Sequence, residues 1–399
     1  MFLREHCAEG LKGGFLVSGL RVRGKNMPKV KIPYPKAVKT DIEHVDLLRA
    51  RGLLIEDDER ALRYLRQIGY FRLSGYLAAF ENGTLISGAR DHTIRPGSTF
   101  DQVLDLYIFD RKLRLLIMEA LERVEVALRS AWANSLAREK DEQQGLHPDA
   151  HAWLDPRRTD GSVDSFSLMT NGAKKLNDSQ ESFAVHYRGT YDSPRFPPIW
   201  ALVETLSFGE LSRWLEHTTS LDVKRAVSEA LGLPNQQVAH RVVEALSSIR
   251  NVCAHHNRCW DRVHAKGLPT LNRLHDDIVV FTTHGKNGEP VTAPDQHLYN
   301  YLVVLAYMLN HLNPKSTWRA RLVALVAERS PDQLKRMAFP ADWHERGVWV
   351  NPPREPAAVS GLESTLRDAL RRHATEQGLT VADAHAALLR AALLPVTTA

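Results

Sequence analysis

Apolar residues recur at intervals of three and four along most of the chain, the period of an α-helix that buries one face. The strongest instance is TFDQVLDLYIFDRKLRLLIMEALERVEVALRSAWANSLA, where Leu106, Leu113, Leu116, Ile117, Ala120, Val124, Ala127 and Leu128 keep that spacing without Gly or Pro. One long amphipathic helix, or two collinear ones, is expected over 100–138. Upstream, Thr40-Asp41 can cap a helix beginning near Ile42, and DDERALRYLRQIGYFRLSGYL sets Leu62, Leu65, Ile68 and Phe71 at helical spacing before Gly75. Downstream, Pro197-Pro198 opens IWALVETLSFGELSRWLEH, with Trp200, Val203, Leu206, Leu211 and Trp214 as buried positions. Asn235 can cap NQQVAHRVVEALSSIRNVCAHH, in which Val238, Val242, Leu246, Ile249 and Cys253 form a core face. A further apolar helix, HLYNYLVVLAYMLNHL, ends at Asn313-Pro314.

The departures from this period mark the boundaries. IVVFTTHGKNGEPVTA, residues 278–293, alternates β-branched residues around Lys286-Asn287-Gly288 and predicts a β-hairpin. DEQQGLHPDAHAWLDPRRTDGSVDS is dense in turn formers and predicts a loop or peripheral insertion. The glycine-scattered start offers no face to bury, and Met27 is an alternative first residue. The expected layout is a flexible arm at 1–33 and an N-terminal helical region at 34–98. A helical core follows at 99–350, with a loop insertion near 139–196 and the hairpin near 278–293, and then a helical tail at 351–399. The fold class is all-α with one small hairpin insertion.

Composition narrows the classes without choosing among them. Across 399 residues, 43% are hydrophobic and 25% charged, ordinary globular usage that excludes collagen, coiled-coil fibre and wholesale disorder. Lys and Arg number 52 against 47 Asp and Glu, and the charge of +5 leans weakly toward polyanionic partners. Three cysteines make no disulfide framework, so reduced thiols and a cytoplasmic location are expected. Apolar runs fall well short of the ~18 residues that span a bilayer, so no membrane partner is expected.

Functional atoms concentrate in SSIRNVCAHHNRCWDRVH, residues 247–264. Four chemistries compete for it. Zinc would use Cys253, His255 or His256, and Cys259, but no second ligand pair stands elsewhere in the chain. A thiol nucleophile would use Cys253, which shares the stripe of Val242, Leu246 and Ile249 and reads more simply as a packed thiol. Phosphodiester cleavage through the RNA 2′-OH needs a base, an acid and a cation, which imidazole and guanidinium supply without metal. On one ideal helix Arg250 and His255 lie ~140° apart, so either the helix breaks between them or two chains contribute. The fourth reading is a phosphate-gripping or merely solvated helix end.

The segment RNVCAHHNRCWDR, Arg250 to Arg262, resembles the RNxxAHH-x-R-x-W-x-R signature of the Abi family of bacterial abortive-infection proteins, of the AbiD/AbiF type. Blocks at 34–77, 99–130 and 196–214 resemble the same family in the same order, and the resemblance spans roughly 34–345. It implies an all-α bundle of the HEPN superfamily, in which the long helix packs with helices at 198–216 and 236–258. It implies Arg250 and His255 as the catalytic pair, Asn251 as the polar neighbour and His256 as a second histidine. It also implies a metal-independent endoribonuclease with no cofactor, a site composed across a homodimer, and work in phage defence on RNA, in some members with a small noncoding RNA. A non-catalytic RNA-binding or sensor module is the alternative, since some members of that superfamily lack ribonuclease activity.

Other residues carry weaker expectations. Arg258 and Arg262, one turn apart, can track RNA phosphates or stand as exposed helix-end charges. Tyr70, Arg72 and Tyr76 offer aromatic and cationic groups for gripping RNA, although aromatics at helical spacing usually face the core. Trp260 reads as a packing anchor. Glu122, Arg123, Glu125 and Arg129 form either a solvated face or a second polar constellation.

Overall fold

The computed structural model describes residues 37–83, 85, 86, 89, 90, 92–284, 289–350, 364–377 and 384. The expected arm at 1–33 and most of the expected tail lie outside them. Among the described residues the regular structure is almost wholly helical, with two short antiparallel ladders.

Helix α1 (Asp41–Ala50) starts where Thr40 caps it, and the Glu43 carboxylate accepts the Thr40 N–H at 2.6 Å in return. Helices α2 (Asp58–Ile68) and α3 (Tyr70–Leu77) are separated by Gly69, whose φ of 87° no continuous helix allows. That break rotates the face expected from spacing, and Phe71 is 92% exposed instead of buried. A two-residue ladder, β1 (Leu85–Ile86) with β2 (Ala89–Arg90), follows.

Helix α4 (Phe100–Ala137) runs unbroken for 38 residues, about 57 Å at 1.5 Å per residue. Thr99 and Gln102 form a capping box at its start. Its stripe from Val103 through Leu106, Leu113, Ile117 and Val124 to Leu128 is fully buried, each large side chain contributing about 1.5–3 kcal/mol. The expected loop insertion is less peripheral than its turn formers predict. Trp153 and Arg158 are buried, and helices α5 (Val163–Asp178) and α6 (Ser182–Thr190) lie within it.

The single helix expected after Pro198 is two, α7 (Ile199–Thr205) and α8 (Phe208–His217). Leu206 is extended and Ser207 opens a new capping box with Glu210. Trp200, expected in the core, is 57% exposed, while Val203, Leu206, Leu211 and Trp214 are buried. Then come α9 (Leu221–Ala230) and α10 (Gln236–Ala254), the latter capped by Asn235 as expected. The hairpin is present as β3 (Val280–His284) and β4 (Pro290–Pro294), Thr282 opposite Thr292.

The apolar α11 (Leu298–Leu312) is followed by α12 (Trp318–Ala327), α13 (Pro331–Lys335) and α14 (Gly347–Val350). The last described helix, α15 (Ser364–Glu376), packs Leu370 and Ala374 with Ala384 as a small separate cluster. The architecture is therefore a bundle around α4, against which α3 and α7 to α12 all pack.

Among the described residues, one buried imidazole lacks a hydrogen bond at both ring nitrogens. His264 is 1% exposed, its ring 5.0 Å from that of Tyr301, and neither ring nitrogen has a partner. Burial, with Arg262 and His297 nearby, pushes it from the ordinary 6.5 down to about 4. A depressed histidine stabilises the fold above the unfolded-state value and loses that contribution as pH falls from about 6.5 to 4, up to about 3 kcal/mol. Denaturant unfolding at pH 7.5 and 4.5 should show this acid-side loss in the wild type and a shallower one in His264→Phe. Equal losses in the two proteins would refute the assignment.

Candidate functional site

The site is built at the C-terminal end of α10. Val242, Leu246, Ile249 and Cys253 bury one face of that helix, so its remaining faces carry Arg250 and Asn251 toward solvent. The helix stays regular through Ala254 and closes with a Schellman turn. The His256 N–H bonds the Cys253 carbonyl at 3.0 Å, and the Asn257 N–H bonds the Val252 carbonyl at 3.0 Å. His256 occupies the left-handed position, φ 55°, where Gly or Asn usually stands. His255 is the cap residue, and both imidazoles are exposed.

Beneath the turn lies Asp110 of α4, fully buried. Its carboxylate accepts the Trp260 N–H at 2.8 Å, the Cys259 N–H at 3.2 Å and the Tyr76 hydroxyl at 2.6 Å, and it pairs with Arg114 one turn along. Burial pushes the Asp110 carboxyl up from the ordinary carboxylate range, while Arg114, Tyr76 and the two backbone donors oppose that push. Four donors aimed at two oxygens are what an ionised carboxylate takes, and a protonated one would leave donors unmatched. Tyr76, a candidate RNA contact in the sequence, is thus buried; burial and Asp110 drive its hydroxyl far up.

A second set of bonds joins the turn to α3. Arg72 donates to the His256 carbonyl, and Arg258 donates to the Gly75 carbonyl at 2.7 Å. The approach is close without depending on glycine, since a Cβ at Gly75 would lie in ordinary contact with the Arg258 side chain at 3.6 Å. Two of the three arginines expected on RNA phosphates therefore hold backbone carbonyls. Arg262 is exposed, with only a long contact of 3.5 Å to the Arg258 carbonyl. Trp260 is buried, its Nε1–H bonded to the Gln333 carbonyl at 3.2 Å.

Arg250 sits against the long helix. Its guanidinium is 3.5 Å from the Glu125 carboxylate and donates to the Asn251 side-chain oxygen at 3.2 Å. Arg129 holds the other Glu125 oxygen at 2.6 Å and reaches Glu204 at 3.3 Å. The charged stripe of α4 is thus the support of Arg250. Glu122 is exposed and apart from these contacts.

The thiols face inward. Cys253 and Cys259 are buried, and the Cys253 neighbour together with burial pushes the Cys259 thiol well up. The exposed histidines point the other way, and no three His, Cys, Asp or Glu side chains converge among the described residues. Arg250 and His255, five positions apart on a helix that does not break between them, lie on different sides of its end.

Asp110, Arg114 and Glu125's tie to Arg250 escape a reading by motif. The available signal was an acid, Asp110, placed among Leu106, Leu113 and Ile117 on a stripe otherwise apolar. Removing this acid should destabilise the protein by about 3–5 kcal/mol, because Arg114 and three other donors lose their acceptor. Chemical denaturation of Asp110→Ala and Asp110→Asn tests this. A loss below about 1 kcal/mol in Asp110→Ala would show that the network is not what holds the turn.

No described helix is long and apolar enough to cross a membrane. No curated protein and no solved structure matches the chain. Residues 63–261, which include α3, α4, α10 and the turn on Asp110, match the family described as Abi-like protein.

Proposed function

We propose that this protein is a metal-independent endoribonuclease of the abortive-infection type, acting as a homodimer of HEPN character. The match of residues 63–261 to the Abi-like family supports a part in abortive infection in general terms. The ribonuclease reading rests on one observation: a guanidinium, Arg250, and an imidazole, His255, both reach solvent at the end of one rigid helix. In the proposed reaction the RNA 2′-OH attacks the adjacent phosphorus and the 5′-oxygen leaves, giving a 2′,3′-cyclic phosphate and a 5′-OH. His255 handles the proton and Arg250 neutralises the charge that builds on the phosphoryl oxygens. Asn251 orients Arg250 through the 3.2 Å bond, and His256 is the second imidazole at the site.

The ~140° between Arg250 and His255 is what supports a dimer: with an unbroken helix, one phosphate meets both groups only if each comes from a different subunit. Glu125 holds Arg250 in place and must yield part of it to an incoming phosphate. The Arg262 side chain is the free cation best placed to follow the RNA backbone, as Arg72 and Arg258 are engaged with carbonyls. A cognate small RNA fits the same surface as a regulator.

Cleavage of a labelled RNA pool in EDTA should give cyclic-phosphate ends that disappear with Arg250→Ala and His255→Ala. His256→Gly separates the ring from the left-handed backbone that glycine adopts freely. Mixing Arg250→Ala with His255→Ala subunits should restore roughly a quarter of wild-type activity, since half the dimers then hold one intact site. RNA bound without cleavage above these variants would leave the non-catalytic binding module in its place. Arg262→Ala should weaken RNA binding and reduce the slope of log Kd against log salt by about 1; an unchanged slope would remove Arg262 from the RNA path.

A further inference from the structure

The side of α3 that meets the turn carries an aromatic ring the fold does not use. Tyr70 is engaged: it stacks on His44 at 4.2 Å with the rings 4° apart, and its hydroxyl accepts from Arg51 at 2.7 Å. Tyr76 is engaged on Asp110. Phe71, between them, is 92% exposed. It lies four residues before Gly75 and so shares that residue's side of α3, the side whose Gly75 carbonyl takes the Arg258 guanidinium. The next residue, Arg72, reaches the His256 carbonyl. The ring therefore stands in solvent on the side of α3 that Arg258 approaches, and the turn to which α3 is tied exposes His255, His256 and Asn257.

A single exposed apolar side chain is ordinary on a protein surface. What distinguishes Phe71 is its anchorage. Arg72 and Arg258 pin this stretch of helix to the turn, so the ring and the imidazoles keep a fixed relation. An exposed aromatic on a helix tied to a turn that bears exposed imidazoles offers a base a stacking surface while its phosphate meets the turn.

We propose that Phe71 is a stacking platform for a base of single-stranded RNA whose phosphate lies at the His255–His256 turn. The inference rests on the RNA reading above and adds to it a preference for unpaired RNA, because a base must leave its helical stack to lie on the ring. Stacking tolerates any base, so Phe71 contributes affinity and strand preference with little sequence selectivity.

The test uses the full chain in EDTA and fluorescein-labelled oligo(A) and oligo(U), with an RNA duplex as control, read by anisotropy. Phe71→Ala and Phe71→Leu should raise Kd for the single strands about tenfold, with Phe71→Tyr and Phe71→Trp within about threefold of wild type. Duplex affinity and the salt slope should not change. The ring is exposed, so the thermal midpoints should match and report intact folding. Cleavage of single strands should show a raised KM with kcat nearly kept.

Phe71→Leu binding as well as Phe71→Tyr would overturn stacking. So would wild-type affinity in Phe71→Ala, or a sedimentation change in that variant, which would assign the ring to a protein contact. If the wild type cleaves RNA in an Arg250- and His255-dependent way while the Phe71 variants match it, this inference alone falls. If the wild type binds no RNA, the ribonuclease reading falls with it.

Discussion

Moving a carboxylate out of water costs several kcal/mol unless its oxygens meet donors and a counter-charge. Asp110 meets both conditions with groups from three distant parts of the chain: Tyr76 of α3, Arg114 of α4, and the N–H groups of Cys259 and Trp260 after α10. The network is satisfied only when these parts are together, so the position of the histidine turn follows from the position of α4. Hydrophobic burial along α4 assembles the bundle without direction. The carboxylate supplies the direction, because hydrogen bonds fix distance and angle where apolar contacts fix neither.

How far the fold was legible follows from the same distinction. Helical spacing and caps located α4 and α10, and alternation located the hairpin, since burial, capping and strand alternation are local in sequence. Spacing misplaced Phe71 because Gly69 turns the chain, and a face extrapolated across that junction points the wrong way. Trp200, the second residue of α7, is exposed although Val203 on the same helix is buried. Turn formers between 141 and 165 read as surface, yet Trp153 is buried there and bonds the Pro197 carbonyl at 3.0 Å. That contact joins residues 44 positions apart, and no local pattern encodes it.

The site was legible as composition and not as wiring. The sequence presents Arg72, Arg250, Arg258 and Arg262 as equivalent cations. In the structure two of them hold carbonyls across the α3 contact, one leans on Glu125, and one stands free at the edge. The glutamates of α4 follow the same rule. Glu125 acquires a partner because α10 crosses α4 there, and Glu122, one turn earlier, acquires none of these contacts. Crossing points between helices decide which charges are structural.

The turn after α10 is held at both ends and from below: by the two Schellman bonds, by the exchange of Arg72 and Arg258 with α3, and by Asp110 under Cys259 and Trp260. Ordering a loop residue at the moment of association typically removes about 1–2 kcal/mol of backbone freedom from the observed affinity. Here that entropy was surrendered when the protein folded. A molecule arriving at His255 and His256 meets a surface already in its final shape, so the encounter draws little on the strength of the contacts it forms.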